Sequence, residues 1–117
     1  MHAEHIREYC LKKKFVTEGF PFDNVTLVFK VKGKMFLLMS LEGDLRINLK
    51  CDPEKAIDLR EHYPAVLPGY HMNKKTWNTV MIDGSVGDTQ IKEWIDDSYS
   101  LIVKSLPKKD QEGISFS

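Results

Sequence analysis

The stretch that decides the fold is Val25–Lys50, VTLVFKVKGKMFLLMSLEGDLRINLK, three apolar runs separated by two tight turns. Val25, Leu27, Phe29 and Val31 alternate with Thr26 and Lys30, the period of a half-buried strand. Lys32-Gly33-Lys34 turns the chain, with glycine free to take a positive φ. Met35–Leu41 is apolar on both faces and reads as a central strand. Glu42-Gly43-Asp44 turns it again, and Leu45, Ile47 and Leu49 alternate with Arg46, Asn48 and Lys50. Three strands joined by hairpin-length links predict an antiparallel sheet.

Helical signals flank this block. Ile6, Tyr9, Cys10 and Lys13 lie at helical spacing, predicting a helix over His5–Phe15, which Gly19 and Pro21 terminate. Asp52-Pro53-Glu54 reads as a second helix start, with Asp52 as cap and Pro53 where its missing donor has no partner. That helix runs to about Tyr63, before Pro64. Leu67-Pro68-Gly69-Tyr70 has the residues of a type II turn, Tyr70–Met72 reads as a short strand, and Trp77–Ile82 as a longer one. Ile91, Trp94, Ile95, Ser98, Ile102 and Leu106 mark an amphipathic helix over roughly 88–105, closed by Pro107, with 108–117 a loose tail. The expected fold is α+β: one 1–117 domain of two layers, an antiparallel sheet packed by helices, in the order α-β-β-β-α-β-β-α.

Composition bounds the function. The chain of 117 residues, 42% hydrophobic and 29% charged, is that of an ordinary globular domain. The longest strongly apolar run, Met35–Leu41, falls far short of the ~20 residues that span a bilayer. The amino terminus lacks the apolar core of a secretory signal, and Cys10 and Cys51 are far apart, pointing to a reducing cytoplasm. Net charge is zero, yet 30–80 holds nine Lys/Arg against six Asp/Glu while 81–103 holds one against five. Such a dipolar domain presents a basic face to a partner.

Chemical motifs are sparse. Glycine-rich phosphate loops are absent, and His2, Glu4 and His5 are too few for a structural zinc site, so neither cofactor nor metal is expected. Cys51, Asp52 and His71 are the one nucleophile-like set, but no spacing joins His71 to the thiol. Asp96 and Asp97 are adjacent on a helix and diverge. A non-enzymatic role follows.

The densest collection of contact-capable side chains is PGYHMNKKTWNTV, residues 68–80. Together with FPF (20–22), VFKVKGKMFLLMSL (28–41), NLKCDPEKAIDLRE (48–61) and DDSYSLIVKSLPKK (96–109), it resembles the MmcQ/YjbR family over almost the whole chain, in order. That family consists of small bacterial α+β proteins commonly labelled DNA-binding with a double-wing motif, so the resemblance implies two hairpin wings on DNA. One wing is Lys30, Lys32 and Lys34 around Gly33; the other is Asn73, Lys74 and Lys75, flanked by Tyr70, His71, Trp77 and Asn78. Lysines suit phosphates, while asparagine and histidine suit base edges. Competing structural roles are solvated hairpin tips for the lysines, a core aromatic for Trp77, a core-edge ring for His71, and turn-fixing for Asn73 and Asn78. The alternative is a protein- or peptide-binding adaptor, or a homodimer, using the uncovered sheet face at Phe36, Arg46, Asn48 and Lys50.

Overall fold

The computed structural model describes residues 1–69 and 72–114. Its elements are α1 (Ala3–Leu11), β1 (Val16–Gly19), β2 (Thr26–Val31), β3 (Lys34–Ser40), β4 (Arg46–Lys50), α2 (Pro53–His62), β5 (Val66–Pro68), β6 (Trp77–Met81), α3 (Asp88–Lys104) and α4 (Lys108–Gln111). Six strands form one antiparallel sheet in the order β1-β2-β3-β4-β6-β5. The fold is α+β, as the alternation in Val25–Lys50 predicts.

Register fixes which side chains face the helices. Leu27, Met39, Ile47, Val80 and Val66 form one row across five strands. All five are buried in the main core. The helices close this face: Ile6 and Cys10 of α1 point inward, as do Ile91, Trp94, Ile95, Tyr99, Ile102 and Val103 of α3. Those spacings of three and four are the apolar stripe of an amphipathic helix. Tyr63 meets Trp94 edge-on with ring centroids 5.0 Å apart.

A bulge in β3 alters the expected parity. Phe29 pairs with Leu37 and Lys30 with Met35, so Phe36 is the extra residue. Phe36 and Leu37 are both fully buried in the helix-side core. The expectation that Phe36 lies beside Arg46 on the uncovered face is therefore corrected; strict alternation fails at one residue. Ser98 of α3 supplies the hydrogen bonds the bulge displaces. Its hydroxyl donates to the Phe36 carbonyl (2.6 Å) and accepts from the Lys50 N–H (2.9 Å).

Other differences have local causes. The first helix stops at Leu11, and Phe15 takes a left-handed φ of 62°. The chain thereby turns into β1, a strand the sequence expectation lacks, which pairs Val16 with Val31. Tyr99 holds this corner by donating its hydroxyl to the Lys14 carbonyl (2.7 Å). Val66–Pro68 pairs with β6, an extended segment that takes in Leu67 and Pro68 of the expected type II turn; of the expected strand Tyr70–Met72, Tyr70 and His71 lie outside the described residues. Pro53 does open α2, but Asp52 makes no side-chain capping bond. Beyond Pro107, α4 forms and Gln111 Nε2 donates to the Leu106 carbonyl (2.9 Å). Both sheet edges are short, and one carries Pro68, which limits edge-to-edge pairing. No helix among the described residues is long and apolar enough to cross a membrane.

Candidate nucleic-acid interface

The face of the sheet away from the helices is read from the same ladders. Three rows cross it: Thr26, Ser40, Arg46 and Met81; Val28, Leu38, Asn48 and Thr79; and, past the bulge, Lys30 with Met35 and Lys50 with Trp77. Val28, Leu38 and Trp77 form a second, smaller apolar cluster there, with Met35 and Met72 packed on it. Trp77 is thus buried, as a core aromatic should be, but in the cluster opposite the helices. Lys50 Nζ lies 5.5 Å from its ring centroid, a cation–π contact that also shields the indole. Thr79 donates its hydroxyl to Asn48 Oδ1 (2.6 Å). The strand residues of these rows include three cations, Lys30, Arg46 and Lys50, and no acid.

The turns divide by charge between the two ends of the sheet. The Lys32–Lys34 turn joins β2 to β3, and the residues between Pro68 and Trp77 join β5 to β6. Both lie at the end where β4 finishes at Lys50. Lys30, Lys32, Lys34, Lys50, Lys74 and Lys75 therefore gather at one end. Asp23, Glu42, Asp44 and Asp83 occupy the turns at the other. The centres of the two lysine-bearing turns are three strand spacings apart, about 14 Å.

Each expected contact residue has a definite place. Lys34, Lys74 and Lys75 are exposed, and Lys30 is half-buried on the uncovered face. Lys32 has φ 50° and its ammonium lies 4.1 Å from the centre of the Phe15 ring, so it leans toward the β1 edge. Asn73 is exposed and fixes its turn: Oδ1 accepts from the Lys75 N–H (3.0 Å), and its carbonyl accepts from the Thr76 and Trp77 N–H groups. Asn78 is corrected. It follows Trp77 by one residue and so faces the helices, 2% exposed, with Nδ2 donating to the Ala56 carbonyl (3.2 Å). Its Oδ1 meets no partner among the described residues. A side chain so placed cannot touch a ligand on the uncovered face. Tyr70 and His71 lie outside the described residues. Arg46, Asn48 and Lys50 are on the uncovered face as expected.

Burial pushes the Cys51 thiol up, with Lys55 opposing, and His71, the base of the nucleophile-like set, lies outside the described residues. Asp96 accepts from Tyr9 and pairs with Lys13, while Asp97 pairs separately with Lys55 (2.9 Å), which confirms that the two carboxylates diverge. The His2 and His5 rings stack 3.6 Å apart, yet no group of three metal-binding side chains occurs among the described residues.

Comparison with known proteins agrees with this architecture. The YjbR family model matches residues 11–101. Protein YbdF of Escherichia coli O157:H7 is 39% identical over 112 residues, 95% of this chain and 92% of that one. Protein YjbR of Escherichia coli K12 is 32% identical over 113 residues, 96% of each. The crystal structure of Deinococcus radiodurans protein DR2400 superposes with a TM-score of 0.92 at 39% identity, covering 97% of this chain and 89% of that one. A Pseudomonas syringae protein superposes at 0.77 with 29% identity, over 86% of this chain and 98% of its own. With a helix-backed antiparallel sheet, collinear sequence and matching structures, this chain belongs to the YjbR family.

Proposed function

We propose that the lysine-bearing end of the sheet binds DNA, with the two turns astride the duplex and their ammonium groups on phosphate. The observation that carries this reading is the convergence of both lysine turns at one end, with Lys50 between them. Their separation of about 14 Å compares with a major groove ~12 Å wide, so each turn would meet one wall of phosphates. Net charge of zero is no obstacle, because Asp23, Glu42, Asp44 and Asp83 lie in turns at the opposite end of the sheet, and Asp52, two residues past Lys50, is outnumbered by Lys32, Lys34, Lys50, Lys74 and Lys75. The role is non-enzymatic binding in the bacterial cytoplasm, and lysine point charges make it tolerant of sequence.

The test is fluorescence anisotropy with labelled duplex and single-stranded DNA over a salt series. Wild type is compared with Lys32→Ala/Lys34→Ala and Lys74→Ala/Lys75→Ala. Each double variant is expected to make the log–log salt slope shallower by about 1.8 on duplex. Absence of binding at low salt, or equal slopes in all three proteins, overturns the reading.

A further inference from the structure

The uncovered face has a feature that DNA contact leaves unused. A groove of about 580 Å³ opens between the β1–β2 loop and Met72, floored by Met35 and Leu38 and walled by Phe22. That volume lies in the ~300–1,000 Å³ range of ligand-binding clefts. Phe22, which lines the groove, is 63% exposed. An aromatic ring left in water at the lip of an apolar groove is a surface awaiting a partner. The two methionines can repack around varied side chains.

Charge indicates what the partner carries. Asp23 and Glu42 line the groove, and Asp44 and Asp83 lie in turns at the same end. Asp23 accepts from the Val25 and Thr26 N–H groups (3.0 and 2.7 Å), so its carboxylate is fixed in place, and those bonds hold it below its usual range. Among the described residues Arg46 is the one cation lining the groove, and its Nη1 donates to the Asp44 carbonyl (3.2 Å). Phosphate is repelled here, and Lys or Arg is attracted.

The groove also crosses three strands, β2, β3 and β4, rather than closing round one compact molecule. We propose that it docks an extended segment of a partner protein, one apolar side chain seated between Phe22 and Met72 and flanking Lys or Arg on Asp23 and Glu42. The acidic end of the groove, at Phe22, Asp23 and Glu42, is remote from the lysine turns, whereas its other end, at Met35 and Met72, adjoins them.

The test is calorimetric titration with a capped peptide of about eight residues, Phe-Leu between lysine pairs, and with its glutamate counterpart. Proteins are wild type, Phe22→Ala, Glu42→Lys and Lys74→Ala/Lys75→Ala; the first two replaced side chains are exposed, so folding is preserved. The lysine peptide is expected to bind one per chain, to weaken about tenfold or more in Phe22→Ala and Glu42→Lys, and not to weaken in the double lysine variant. Four results overturn the proposal. They are no binding, equal binding of the glutamate peptide, indifference to Phe22→Ala, and self-association by sedimentation that Phe22→Ala abolishes, which makes the occupant a second copy. Loss of DNA binding alone leaves it standing.

Discussion

Ser98 shows how much one hydroxyl can decide. It sits fully buried on the apolar stripe of α3 and joins the Phe36 carbonyl to the Lys50 N–H. Ser98→Ala leaves both backbone groups buried without a partner, and a loss of about 1–3 kcal/mol is expected in urea denaturation. Cys10 gives a pH signature. Burial pushes its thiol up to about 12, so the folded chain holds that proton more tightly than the unfolded chain, whose value is about 8.5. The resulting stability is complete below about pH 8.5 and is lost as pH climbs toward 12. Between pH 8.5 and 10, before the tyrosines of the unfolded chain titrate, the urea midpoint of wild type should fall more steeply than that of Cys10→Ala. At this scale the sequence is legible for side chains with one obvious place, such as Trp94 in the core or Lys74 and Lys75 in water. It misleads at Phe36 and Asn78, where a one-residue change in parity moves a side chain to the opposite face.

Among elements, β2, β3, β4, β6 and α3 were readable because each buries a periodic row long enough to stand above chance. β1 was not. Its four residues, Val16–Gly19, offer no apolar alternation, and Glu18 on its helix-facing side meets Arg7 of α1 through a bidentate ion pair. β5 was displaced in the reading because Pro68-Gly69 has the residues of a turn, whereas pairing with β6 draws Pro68 into the sheet edge. Gly69 is needed there for a different reason. A Cβ at this position would lie 2.8 Å from both the Cβ and the carbonyl oxygen of Trp77, and Gly69 N–H also donates to that carbonyl (2.9 Å). Gly69→Ala is expected to cost about 1–3 kcal/mol and to shift the segment carrying Lys74 and Lys75. Weakened DNA binding with an unchanged salt slope, measured beside the thermal midpoint, would distinguish that shift from loss of charge.

For the molecule as a whole, the helix-side core sets stability and the arrangement of charge sets recognition. Leu49 and Trp94 are 3% and 4% exposed, so replacement of either by alanine is expected to lower stability by about 2–5 kcal/mol in denaturant titrations. The α+β layering was legible because strand and helix periods differ and alternate cleanly along the chain. The interface was legible only as a set of residues. Convergence of two lysine turns follows from strand order and register, and neither is written in local sequence. The groove was legible only in part: Arg46 and Asn48 belong to the peptide-binding face the sequence suggests, but Phe22, Met35 and Met72 are far apart in the chain. The opposed ends have a consequence at the bench. Near pH 6.9, the isoelectric point its composition gives, the molecule has almost no net pull toward either electrode. It nevertheless offers an adsorbent a cationic end or an anionic end according to how it lands. In dilute buffer it should be retained by both cation- and anion-exchange resins, and Lys74→Ala/Lys75→Ala should elute earlier from the first alone.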